Sequence, residues 1–253
     1  LEHEGSLKGY AYEQVINLNR VQNSQFIAVS DAVHEYLTGT VNLPEKRVTV
    51  IPNGIHVPEE IPAKKRHPLW DEWGWNEDVK VAIAVGRLET VKGHKYLIDA
   101  VANLREQHPE LRAVIVGEGR IQDDLEAQIA QHNLQDIVKL AGFRKDIQDL
   151  LLSSDFYLMP SLSEGLPYAL LESATTGLPA LVSEVGGMAA LLDHMETAYL
   201  AQPEDSDSLT EGLAFLLNNP EKTAQLGKAI YNLVKAEYSL EGMVDRTLEI
   251  YLS

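Results

Sequence analysis

Val81-Ala82-Ile83-Ala84-Val85-Gly86-Arg87 is the stretch on which the fold turns. Five apolar residues run without polar alternation, the pattern of a strand buried on both faces of a parallel sheet. Gly86 permits a sharp exit from that strand, and Arg87 then stands at its carboxyl end. Four more runs of this kind follow, over 113–116, 137–140, 156–159 and 180–183. Helical patterns separate them. Leu97, Ala100, Val101 and Leu104 share one helix face, and further helices are expected over 121–132 and 147–153. The alternation predicts an α/β domain with a doubly wound, Rossmann-like parallel sheet and right-handed crossovers. Ligands of such folds bind in the crevice at the carboxyl ends of the strands, where Gly86-Arg87, Gly117, Gly142 and Pro160-Ser161 all fall.

At 253 residues the chain can bury a large core and form more than one structural unit. Its 45% apolar and 23% charged content are those of a globular protein. Twenty-one basic residues face 38 acidic ones, and a net charge of −17 disfavours nucleic acid and anionic membranes as partners. An anionic ligand must therefore be held by a few local cations. No apolar run reaches the ~18 residues of a membrane-spanning helix. The absence of cysteine excludes disulfides and thiolate metal sites, and the expectation is a cytoplasmic protein.

The second informative stretch is Ser163-Glu164-Gly165-Leu166-Pro167-Tyr168-Ala169-Leu170-Leu171-Glu172. Pro167 suits the first position of a helix, and Gly177 with Pro179 marks its end. Glu164 thus falls in the loop before the helix and Glu172 on its second turn. Between them lie the free N–H groups of a helix N-terminus, which attract anions. A phosphate cradle flanked by two carboxylates that can bind sugar hydroxyls is the chemistry of a nucleotide-sugar site; the alternative is two ordinary solvated glutamates. After the first strand, Arg87 and Lys92 can hold a diphosphate and neutralise its charge as it leaves, or they are two surface cations. Asp205-Ser206-Asp207 reads as a helix N-cap and not as a metal-binding pair. No metal and no cofactor is expected, the nucleotide sugar being substrate.

Taken in chain order, Gly86-Arg87 with Lys92-Gly93, Gly117-Glu118-Gly119, Ala141-Gly142-Phe143, Pro160-Ser161, the Glu164/Glu172 pair and Gly186-Gly187 resemble the retaining glycosyltransferases of family 4. These enzymes have the two-Rossmann-domain (GT-B) architecture. Ile27-Ala28-Val29-Ser30 and Ile51-Pro52-Asn53-Gly54-Ile55 resemble the end of that family's N-terminal domain and its hinge. The resemblance implies that 1–56 ends an acceptor-binding domain and that 57–78 is a linker. It further implies that 79–236 is the donor-binding domain, and that 237–253 is a helix packing back on the N-terminal segment. A whole member has an acceptor domain of ~150 residues or more, and this sequence holds only its end. The remainder would belong to the same protein or to a partner chain.

The same resemblance implies that Arg87 and Lys92 bind the donor diphosphate, Glu164 the sugar hydroxyls and Glu172 the ribose. Gly86 and the amides of Gly165, Leu166, Pro167 and Tyr168 would line the phosphate and sugar, and the nucleobase would lie near Phe143-Arg144. His3 corresponds to the family histidine near the donor sugar; its other reading is a terminal surface histidine. The implied partners are a nucleotide sugar and an acceptor that is a glycan, a lipid or a small molecule. Two positions depart from the pattern: Ala190 stands where the family often has Glu, and His56 where it often has Asp. The competing function is a non-catalytic nucleotide-sugar-binding module or partner subunit.

Overall fold

The computed structural model describes residues 24–252. His3 and the helix expected over 10–23 lie outside them. Among the described residues, eight strands fall into two sheets. The smaller pairs β1 (Phe26–Ala28) in parallel with β2 (Val48–Val50), Phe26 opposite Val48. Helix α1 (Asp31–Glu35) lies between them, and Ser30 caps it by accepting from the Val33 N–H.

The larger sheet is entirely parallel: β3 (Lys80–Val85), β4 (Leu111–Val116), β5 (Val138–Leu140), β6 (Phe156–Met159), β7 (Ala180–Ser183) and β8 (Tyr199–Ala201). The spatial order is β5-β4-β3-β6-β7-β8. The chain starts in the middle, winds to one edge and returns to wind to the other. The order reverses between β3 and β6, and a doubly wound sheet binds its ligand beyond the strand ends at such a point.

Helices α2 (Pro68–Glu72), α3 (His94–Leu104), α4 (Gln122–Gln131), α5 (Ile147–Leu152), α6 (Tyr168–Thr175), α7 (Gly186–Leu191), α8 (Ser206–Asn218), α9 (Pro220–Glu237) and α10 (Leu240–Leu252) complete the chain. Successive strand residues point to opposite faces, so each strand supplies two cores. Ala82, Ala84, Ile115 and Leu158 join the core under α3, α4 and α8. Val81, Ile83, Val114 and Met159 join the core under α5, α6 and α9. This is why the strands read as unbroken apolar runs. The edge strand β8 was not foreseen: it is three residues long, and only Ala201 is buried.

The stretch 57–78 is not uniform. Trp70 and Trp75, at 2% and 4% exposure, are part of the core under α5 and α6. Their indole N–H groups donate to the carbonyls of Ser153 and Asp136. At the other end of the chain, the Leu240 N–H donates to the Ile55 carbonyl and the Ile55 N–H to the Tyr238 carbonyl. Helix α10 therefore begins against the 52–55 turn.

Candidate donor site at the sheet switch point

The loops after β3 and β6 meet at the point where the strand order reverses. In the first, Gly86 N–H donates to the Val116 carbonyl and Leu88 N–H to the Glu118 carbonyl, so the loop is stitched to the one after β4. A single turn over Thr90–Lys92 follows, then Gly93 with φ +66°, and α3 begins at His94. Gly86 was expected to supply the sharp exit, but it is not among the glycines with positive φ. The left-handed glycine of this loop is Gly93, at the start of α3. A Cβ there would lie 1.8 Å from the Pro160 carbonyl oxygen, so only glycine lets the two loops approach. They are further joined by the Leu162 N–H donating to the Val91 carbonyl at 2.8 Å.

That approach brings Lys92 and Glu164 together, 72 positions apart in the chain. Lys92 Nζ lies 2.6 Å from Glu164 Oε1, with side-chain exposures of 20% and 9%. Ser161 Oγ donates to the same oxygen at 2.8 Å. Arg87 is exposed, and among the described residues its guanidinium makes no ion pair. The two cations read together from sequence are thus in different situations: one is engaged by a carboxylate, the other open.

Pro167 is the N-cap residue of α6, one place earlier than its composition suggested. Glu172 is half-buried on that helix, and burial raises its carboxyl above the usual range. The N–H groups of Gly165, Leu166, Tyr168 and Ala169 donate to no protein group among the described residues, which leaves an open N-terminal cradle. The Leu166 side chain is buried, so only its main chain can serve a ligand, while Tyr168 is exposed. Gly177, at φ +71°, follows the last turn of α6.

The β6–α6 loop is shaped from outside the sheet. The Glu164 carbonyl accepts from the Gly187 N–H, and a Cβ on Gly186 or Gly187 would meet the carbonyl oxygens of Glu164 or Gly165 at 2.0 and 1.9 Å. Asn53 Nδ2 donates to the Leu166 carbonyl at 2.8 Å. Val29 and Val33 of the N-terminal unit lie beside Gly165.

Two further side chains escaped the motif reading, and a third was read there without a role. His94 is buried at 3% exposure, and desolvation holds its imidazole down to about 4, against the opposing pull of the Arg87 carbonyl. Nε2 lies 3.2 Å from that carbonyl and must carry the proton; Nδ1 has no partner among the described residues. The fully buried Tyr157 hydroxyl is likewise unpartnered, and burial plus the charges of Glu164 and Glu172 push it upward. Ser161, the third, quoted in the motif reading only as part of Pro160-Ser161, stands two residues after β6. Each sits within two residues of a strand end or helix start, a position without a composition signal.

At the far side of the switch point, Phe143 is 66% exposed. Arg144 is turned toward Asp146, with Nε donating to Oδ1 at 2.9 Å. This hydrogen bond raises the Arg144 guanidinium and holds Asp146 down to about 2. Both line an open cleft of about 530 Å³ with Lys65, Arg66 and His67. Among the described residues no cluster of three or more His, Asp or Glu side chains could hold a metal, and no helix is long and apolar enough to cross a membrane.

Sheet order and loop geometry are those of a Rossmann-like unit of the GT-B fold, and the comparisons agree. Residues 68–233 match the family described as glycosyl transferases group 1, and the chain belongs to that family. It is 30% identical over 210 residues to the UDP-Gal:α-D-GlcNAc-diphosphoundecaprenol α-1,3-galactosyltransferase of Escherichia coli, covering 81% of this chain and 54% of that protein. It is 30% identical over 229 residues to the phosphatidylinositol N-acetylglucosaminyltransferase gpi3 subunit of Schizosaccharomyces pombe, covering 89% and 48%. The chain therefore spans about half the length of these relatives. Among solved structures, it is similar to Anabaena HepE in complex with UDP, with a TM-score of 0.82 and 25% identity, covering 93% of this chain and 65% of that one.

Proposed function

We propose that this chain is the donor-binding part of a nucleotide-sugar-dependent glycosyltransferase of family 4, acting with retention and without a metal. The observation that carries the reading is the convergence of the β3–α3 and β6–α6 loops. The Lys92–Glu164 contact sets cation and carboxylate side by side, next to the open N–H groups before α6. UDP is the favoured nucleotide, because HepE is known in complex with it and the Escherichia coli relative carries UDP-Gal in its name.

In this reading the donor diphosphate lies against Arg87 and the amides of Gly165, Leu166 and Tyr168, with Lys92 adding its charge. Glu164 accepts from the transferred sugar's hydroxyls and Glu172 from the ribose. The nucleobase lies along the main chain at Phe143-Arg144. The acceptor hydroxyl attacks the anomeric carbon as the diphosphate departs, and the fixed cations and N–H dipoles stabilise the departing charge without reorganising. The acceptor, a glycan, lipid or small molecule, is bound by the acceptor domain.

Calorimetric titration with UDP and with UDP-sugars tests the reading. Glu172→Ala should weaken both ligands. Glu164→Ala should weaken only the intact donor, each loss being about 1.5–3 kcal/mol, roughly tenfold to a hundredfold. Failure of the unsubstituted protein to bind any nucleoside diphosphate or nucleotide sugar would sink the proposal.

A further inference from the structure

We infer that Lys92 and Ser161 are positioning residues for Glu164: they clamp its Oε1 and leave Oε2 as the one oxygen available to a sugar hydroxyl. For its ligand the inference rests on the donor-site reading above; for its geometry it does not.

A carboxylate with only 9% of its side chain exposed is costly unless it is paired and hydrogen-bonded. Among the described residues, Glu164 meets that demand through one oxygen. Lys92 Nζ at 2.6 Å and Ser161 Oγ at 2.8 Å both address Oε1, whereas Oε2 has no hydrogen-bond partner among the described residues. An ionised carboxylate can accept about four hydrogen bonds, so Oε2 keeps its full capacity. A carboxylate held by one oxygen cannot rotate both into use, and a fixed acceptor discriminates between sugars by the direction of their hydroxyls.

The clamp has a rigid base. Lys92 comes from the loop after β3 and Ser161 from the loop after β6, neighbouring strands in the sheet. The backbone bond from Leu162 to Val91 and the Gly93–Pro160 approach lock those loops together. Ser161, at 1% exposure, is enclosed between them.

The clamp also answers an electrostatic difficulty. A carboxylate beside a diphosphate repels it, and the protein's net charge of −17 adds to the repulsion. The Lys92 ammonium cancels the Glu164 charge locally, so the sugar-reading carboxylate can sit next to the phosphate-binding amides. Lys92 then favours the diphosphate mainly as a counter-ion, while the unpaired Arg87 is the direct ligand.

A double-substitution cycle decides between counter-ion and direct ligand. Lys92→Met should weaken UDP at least tenfold, and Lys92→Met with Glu164→Gln should recover most of that loss. A direct phosphate ligand predicts no recovery, which would overturn the counter-ion role. Ser161→Ala should bind UDP as before but a UDP-sugar about tenfold more weakly, with Ser161→Thr restoring it. Equal losses for both ligands, or no rescue by Thr, would overturn the positioning role. Urea unfolding needs no ligand: Lys92→Met should be destabilised and the double variant restored. If the unsubstituted protein binds no nucleotide, the donor-site reading fails; the unfolding cycle still stands or falls for the clamp, and simple additivity there would refute it.

Discussion

The two loops that meet at the switch point are built in opposite ways. The β3–α3 loop is anchored within its own domain, by backbone bonds to Val116 and Glu118 and by the buried His94 beneath Arg87. The β6–α6 loop takes its shape from groups distant in sequence: Asn53 on the Leu166 carbonyl, Gly187 on the Glu164 carbonyl, Val29 and Val33 beside Gly165. The Arg87 side of the candidate site is thus anchored within the sheet domain. The Glu164 side, which also carries the open N–H groups before α6, is in contact with Asn53, Val29 and Val33.

The largest expected effect falls where the loops join. Gly93→Ala places a Cβ onto the Pro160 carbonyl in a left-handed backbone. It should destabilise the fold by about 4 kcal/mol or more, measured by urea unfolding, and abolish UDP binding. A variant of ordinary stability would mean that the loops do not need this close approach.

Next comes the first loop's buried support. The His94 imidazole is held at about 4 in the folded state, below its ordinary 6.5. As pH falls, the unfolded chain takes up this proton first, so the histidine's contribution works against folding below pH 6.5. Stability should drop by about 3 kcal/mol between pH 6.5 and pH 4 from this group alone. His94→Gln keeps a donor for the Arg87 carbonyl but cannot titrate, so its loss over the same window should be smaller by that amount. Parallel curves for the two proteins would refute a buried neutral histidine.

The smallest effect tests the dependence of the second loop on the hinge. Asn53→Ala removes one hydrogen bond and should cost about 1 kcal/mol of stability. Its binding signature matters more. Affinity for an intact UDP-sugar should fall by a larger factor than affinity for UDP, because in the proposed reading that loop carries Glu164 as well as the N–H groups that both ligands share. An equal decline for both ligands would erase the contrast between the loops.

Much of this was legible in the chain itself, for identifiable reasons. Residues 81–85 and 156–159 are apolar throughout because both sheet faces are covered, so the doubly wound sheet could be read directly. The helix punctuation by Pro167 and Gly177 marked the N-terminus of α6 within one residue of its place, with Glu164 before it and Glu172 on it. Strand β8 could not be read, since three edge residues, of which only Ala201 is buried, have no period to detect. Helix α7 was hidden by its opening Gly186-Gly187, residues chosen for close approach to the Glu164 loop and poor as helix formers.

By itself, then, the sequence determined the parallel α/β sheet, its ligand edge and the set of charges placed there, because burial and chain punctuation are local properties written in residue type and spacing. How those charges are shared follows from packing between distant segments. Lys92 and Arg87 look equivalent along the chain, yet Gly93 and Pro160 bring Lys92 onto Glu164 and leave Arg87 open. Which carboxylate a cation meets depends on where separate loops cross, and that distance is set by packing between residues far apart in sequence.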